Sequence, residues 1–282
     1  MMSFLSLFAS EGNGIHVSLR AERVFTLGPL HITNSMIYGV ITSLFIGWVL
    51  ITLAKKSSIK PKKGPVAILE MVVEFVIGML ESAFGSREKA IKYAPVFVTF
   101  FLFILMTNIL GLLPIVGPSV KVNGTVLLRP FTADLNGTIA MAVTAIVAVQ
   151  VMSIKAQGVK GHLTHYFSDK PLNPINLFIG ILEVFGEFTR ILSLSLRLFL
   201  NTAVGEILVA VFTSLILANG RTPIAVLPII LFELLVAGIQ AYVFTVLTAT
   251  YLALAISHAH DEHSPDEHEH AEALKVEELS VS

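Results

Sequence analysis

Apolar residues along this chain do not alternate with polar ones; they run on. The first unbroken stretch covers 35–54 (SMIYGVITSLFIGWVLITLA), carries no charge and stops at Lys55 and Lys56. It has the roughly 20 residues that a helix needs to cross a bilayer core. Comparable runs cover 93–114 (YAPVFVTFFLFILMTNILGLLP) and the stretch from about Asp134 to Lys155. Residues 65–85 (PVAILEMVVEFVIGMLESAFG) are also apolar but include Glu70, Glu74 and Glu81. Spacings of four and seven put the three acids on one helical stripe, so a helix lying in the membrane interface is expected here rather than a span.

Two longer segments follow. Residues 173–218 are almost continuously helix-permissive, and 223–257 are apolar again, with Pro223 placed to open a helix. At about 1.5 Å per residue the first would reach about 69 Å and the second about 52 Å, against a hydrocarbon thickness of about 30 Å. Such helices must tilt, bend or break. Joined at Asn219 and Gly220, they predict a steeply inclined hairpin in the membrane. The expected fold class is an all-α integral membrane protein with about five membrane helices and one interfacial amphipathic helix, the last two long and steeply tilted.

Composition agrees with that pattern. The 282 residues are 54% hydrophobic and 14% charged, with a mean hydropathy of +0.79, which excludes a soluble domain of this length. A net charge of -1 with no basic face argues against a nucleic-acid partner, and the absence of cysteine removes disulfides, thiol nucleophiles and Cys-ligated metals. No glycine-rich phosphate loop occurs, so no ATP site is expected in this chain. The N-terminal MMSFLSLF lacks a basic n-region, and no cleaved signal peptide is expected.

Basic residues orient the spans. Eight lie between 55 and 92 (Lys55, Lys56, Lys60, Lys62, Lys63, Arg87, Lys89 and Lys92), whereas the loop between the second and third spans has Lys121 and Arg129. The positive-inside rule puts the first loop in the cytoplasm and the N-terminus outside. The resulting division is an extracytoplasmic segment 1–34, a membrane domain 35–257 with its interfacial helix about 65–85 and tilted hairpin about 173–257, and a cytoplasmic tail 258–282.

The chemistry sits in the two long helices. Glu183, Glu187, Arg190, Arg197 and Glu206 lie on the first and Glu233 on the second, each among Leu, Ile, Val and Phe. An ionisable group at a bilayer centre costs at least about 2.5–3.5 kcal/mol, so six of them call for a function. On an ideal helix Arg190, Asn201, Glu183 and Glu187 fall within about 80° of Arg197, while Glu206 falls on the opposite side. Gln240 and Tyr251 share the face of Glu233. An intrahelical ion pair of Arg190 with its acids competes with a functional role there. Arg197 has no acid three or four residues away, so its partner must come from elsewhere. For Glu206 and Glu233 a polar bridge between helices competes with a proton relay.

The runs SLSLRLFLNTAVGEIL at 193–208 and LVAGIQAYVFTVLTATYLALAISH at 235–258 make the sequence resemble subunit a of the rotary F-type ATP synthase. TNILGLLP at 107–114, TADLNGTIAMA at 132–142 and NPINLFIGILE at 173–183 agree with the same bacterial-type family in the same order. The resemblance implies a non-catalytic, proton-translocating stator subunit of the bacterial inner membrane. Its implied partners are a ring of c subunits, the peripheral-stalk b subunits and the lipid bilayer, with H⁺ as the transported ion and no cofactor or metal.

Position by position, Arg197 corresponds to the family's essential arginine, which holds the passing ring carboxylate ionised and blocks proton short-circuit between two aqueous half-channels. Asn201, Glu206, Glu233 and Gln240 correspond to polar positions of the proton path. Asn108, Asp134 and Asn136 sit where the family places polar groups near the outer half-channel; Asp134 as a helix cap, with Asn136 solvated, is the other reading. Glu183 and Arg190 correspond to positions near the inner mouth. Leu200 departs from the small residue that usually follows the RLF motif.

The tail HAHDEHSPDEHEHAEALKVEELSVS holds five of the nine histidines and eight acids. Disorder is the expected state, with metal chelation or local proton buffering as alternatives. Against the stator function stand a secondary transporter, which would need repeats that the chain lacks, and a non-conducting scaffold whose charges only pair helices.

Overall fold

The computed structural model describes residues 23–27, 30–56, 64–113, 116, 121–122, 125–126, 128–167, 174–218 and 227–261. Six α-helices dominate the described residues: α1 (Asn34–Lys56), α2 (Pro65–Phe84), α3 (Arg87–Gly111), α4 (Leu135–Phe167), α5 (Pro174–Ala218) and α6 (Leu227–Asp261). Five contain windows long and apolar enough to cross a membrane, within Asn34–Lys56, Arg87–Gly111, Leu135–Gly158, Gly180–Val209 and Leu227–Ile256. The chain is thus an all-α integral membrane protein, and α2 with its three glutamates is the helix outside that set.

Helix boundaries follow local chemistry. Thr33 precedes α1, and its Oγ1 accepts a bond from the Met36 amide at 3.4 Å, an N-cap. Pro65 opens α2 at the position where a missing N–H costs nothing, and Gly85 closes it at φ +65°, a left-handed turn that other residues resist. α3 starts at Arg87, six residues before the expected apolar run, because its first turn is charged and solvated. Pro95 lies inside α3 and removes the amide that would bond the Ile91 carbonyl. α4 extends past Lys155 to Phe167, but Gly158 at φ 80° and ψ 163° breaks its helical geometry, so the straight part ends close to the expected point.

Across its 45 residues α5 is a single helix, which removes the break from the three expected responses to its length. Its length of about 68 Å still exceeds twice the hydrocarbon thickness, leaving tilt or curvature. The junction at 219–226, Pro223 included, lies outside the described residues, as does the expected tail except for 258–261, which belong to α6.

Two small antiparallel hairpins depart from the all-helical expectation. β1 (Arg23–Leu27) pairs with β2 (Leu30–Thr33) through Phe25 with Ile32, Thr26 with His31 and Leu27 with Leu30. Val24, Phe25, Thr26, Ile32 and Thr33 are β-branched or aromatic, which favours a strand over one more helical turn. β3 (Lys121–Val122) and β4 (Thr125–Val126) form the second.

Contacts divide the chain into two compact units. The first comprises the described residues of Met1–Leu69, Phe101–Ala140 and Leu194–Tyr242, and the second those of Glu70–Phe100, Met141–Ser193 and Val243–Ser282.

Candidate functional site

The first unit gathers most of the candidate residues: Asn108, Asp134, Asn136, Arg197, Asn201, Glu206, Glu233 and Gln240. Its organising element is the segment 129–134 that leads into α4. Phe131–Ala133 form a 3-10 turn after Pro130. The Phe131 ring lies against α1 and α4 at two glycines: a Cβ on Gly39 would stand 2.6 Å from Phe131 Cδ2, and one on Gly137 would stand 2.6 Å from the Phe131 carbonyl oxygen. Pro130 packs on Gly111 at the end of α3, with Cβ and Cγ each 3.3 Å from the place of a side chain there.

Polar bonds pin the same segment. The Thr132 hydroxyl donates to Asn108 Oδ1 at 2.9 Å, and the Ser35 hydroxyl donates to Asp134 Oδ2 at 2.5 Å. Asp134 also caps α4, its Oδ1 accepting the Asn136 amide at 3.1 Å, while the Asn136 side chain is exposed. All four residues of the two side-chain bonds are buried, so each bond removes polar atoms from an apolar surround that would otherwise penalise them.

Arg129 is the residue that sequence reasoning missed. Counted as a loop charge, it is in fact buried at 3% exposure, with its guanidinium Nη2 3.5 Å from Oε2 of Glu206, itself 10% exposed. The signal was present, because Arg129 sits between Leu128 and Pro130 in VLLRPF. The apolar-neighbour test that singled out Arg197 applies equally to a residue outside a helix.

On α5 and α6 the arrangement is close. The Glu233 carboxyl group rests on the α-carbon of Gly205, in the space a side chain at 205 would take. Gln240, 5% exposed, has an Nε2 with no partner among the described residues. Arg197 is half-buried and makes no ion pair among the described residues. Leu200 is exposed, as are Leu196 and Val204 beside it on α5.

The second unit holds Glu183, Glu187, Arg190 and Tyr251. Arg190 Nη1 donates to Glu187 Oε1 at 2.5 Å, the intrahelical pair weighed as an alternative above, and its guanidinium carbon lies 4.8 Å from the centroid of the Tyr251 ring. On the acidic stripe of α2, Arg87 binds Glu74 at 2.6 Å and Glu81 at 3.2 Å, all three solvent-exposed. No group of three metal-ligating side chains occurs among the described residues.

Residues 36–253 match the ATP synthase A chain family. The chain belongs to that family. The match begins well before residue 107, where the first of the motifs that carry the resemblance starts. Relatives include an ATP synthase subunit a of Moorella thermoacetica, 34% identical over 235 residues, which cover 83% of this chain and 96% of the relative. An ATP synthase subunit a of Anaeromyxobacter dehalogenans is 33% identical over 217 residues, 74% of this chain and 54% of the relative. One of Myxococcus xanthus is 33% identical over 228 residues, 77% and 69% respectively. The chain therefore spans nearly the whole of one relative and about half of another.

Proposed function

We propose that this chain is the proton-translocating stator subunit of the membrane sector of a rotary ATP synthase. In this reading it catalyses no nucleotide chemistry itself and works against a ring of c subunits, held by peripheral-stalk b subunits. The observation that carries the proposal is Arg197, half-buried on a long apolar helix without an ion-pair partner among the described residues. A guanidinium without a partner inside a bilayer is costly. The cost is offset if the partner is a carboxylate that arrives on another subunit. Because a guanidinium does not lose its proton, it keeps each arriving carboxylate ionised and gives protons no site for a direct crossing.

The exposed apolar residues of α5 beside Arg197 support a surface that meets either lipid or a hydrophobic ring. Glu206, Glu233, Gln240 and Asn201 are then the polar steps by which protons reach the ring carboxylate. Asn108, Asp134 and Asn136 belong to the outer half-channel, and Glu183, Glu187, Arg190 and Tyr251 to the inner one. The chain sits in a bacterial inner membrane with its N-terminus outside, its C-terminus in the cytoplasm and α2 in the interface. H⁺ is the coupling ion.

The deciding measurement is ATP-driven acidification of inverted membrane vesicles that carry Arg197→Ala, after insertion and assembly of the complex are verified. Abolished acidification with intact assembly is expected. Undiminished acidification would make Arg197 structural and overturn the reading.

A further inference from the structure

We propose that Arg129 is a positioning residue for proton transfer: it holds the Glu206 side chain in place and balances its charge. The inference rests on the reading of Glu206 as a step of the proton path. Three features of the first unit carry it.

The first is the pair itself. Arg129 and Glu206 are 97% and 90% shielded from solvent, far deeper than the pairs of Arg87 with Glu74 and Glu81 or of Arg190 with Glu187. The second is its geometry. At 3.5 Å the two groups attract each other, yet the distance exceeds that of a charge-assisted hydrogen bond. Glu206 Oε2 accepts no hydrogen bond from any described residue. The carboxylate is thus held by charge, and no hydrogen bond from a described residue occupies the lone pairs of that buried oxygen, which suits a relay group better than a structural bridge with every lone pair occupied.

The third is the mounting of Arg129. Its neighbour Pro130 is seated on Gly111, Phe131 is clamped between Gly39 and Gly137, Thr132 is bonded to Asn108, and Asp134 accepts Ser35. Four anchors within five residues fix the backbone from which the guanidinium extends. The positive charge beside Glu206 is therefore a fixed feature of the fold, not that of a flexible surface chain. A second acid, Glu233 of α6, has its carboxyl group against Gly205, the residue before Glu206 on α5.

The test uses inverted vesicles with the complete complex and compares Arg129→Met, Arg129→Lys and Glu206→Gln after assembly is quantified. Methionine fills the space without the charge, whereas lysine keeps the charge. Acidification should fall by roughly tenfold or more with methionine and return to at least about half with lysine, as expected when a relay group loses its placement. If Met and Lys variants conduct alike while Glu206→Gln is impaired, the positioning role is wrong and the path role of Glu206 stands. Undiminished flux in Glu206→Gln would instead overturn the path role, and the positioning role with it. Should Arg129→Met fail to assemble, Glu206→Asp probes the pair from the other side, with an acid one methylene short of Arg129. Lost flux supports the proposal; full flux overturns it.

Discussion

The carboxyl group of Glu233 on α6 occupies the space that a side chain at Gly205 on α5 would fill. Gly205 adjoins Glu206, so one missing side chain brings the acid of one helix against the residue beside the acid of the other. The glycine serves through its absent Cβ rather than through backbone freedom, since α5 is regular here.

Gly205→Ala should therefore leave the helix intact and displace Glu233. Alanine favours the helix by about 1 kcal/mol, which argues against unfolding as the cause of any defect. Overlap of its methyl group with the Glu233 carboxyl group forces a shift, and proton pumping by the assembled complex should drop by roughly tenfold. Combining it with Glu233→Asp, an acid one methylene shorter, should recover part of that loss. Pumping at the full rate in Gly205→Ala would show that the placement of Glu233 against α5 does not matter.

A control within one helix tests the clamp on Phe131. Gly39 and Gly47 both lie on α1, but a Cβ at 39 meets the Phe131 ring at 2.6 Å whereas nothing lies within 4 Å of a Cβ at 47. Gly39→Val should lower the stability of the detergent-solubilised complex by about 1–3 kcal/mol through overpacking, and Gly47→Val should not. Thermal unfolding midpoints of the two variants measured side by side settle it; equal midpoints would mean that Phe131 is not seated as described.

What could be read from the sequence divides along a physical line. A bilayer imposes a minimum length and an apolar exterior on each helix, so the spans and the odd residue Arg197 stand out without tertiary knowledge. Arg129 did not stand out, because its burial depends on Pro130, Phe131 and Thr132 each finding a distant partner. Gly205 looked like any small residue in a membrane helix, and only the position of Glu233 on the facing helix gives it meaning. That Glu206 meets Arg129 did not follow from helical periodicity. The β1–β2 hairpin is hard to read because nine residues of strand are a weak signal beside runs of twenty apolar ones.

Asp134 offers a separation of cap from charge. Its two oxygens accept the Ser35 hydroxyl and the Asn136 amide. Asparagine caps helices about as well as aspartate, whereas alanine loses about 0.5–2 kcal/mol. Asp134→Asn should keep near-native stability in denaturant titration of the solubilised complex, and Asp134→Ala should lose at least the capping energy. A stable Asp134→Asn variant that pumps poorly would assign the charge to the outer half-channel; one that pumps normally would leave Asp134 a cap.

The last prediction concerns orientation, and the buried arginine sharpens it. Eight basic residues lie between 55 and 92. The loop between α3 and α4 has only Lys121 and Arg129, and Arg129 is withdrawn into an ion pair with Glu206. On the positive-inside expectation the charge asymmetry is thus steeper than the count of basic residues shows. Because the chain has no cysteine, single cysteines at 60 and 121 report without background. A membrane-impermeant maleimide applied to right-side-out vesicles should label position 121 and spare position 60, with the pattern reversed in inverted vesicles. One crossing, α3, then separates the two positions, and α2 lies in the interface. Labelling of both from one side would require α2 to cross as well, carrying Glu70, Glu74 and Glu81 into the bilayer, and would overturn the orientation.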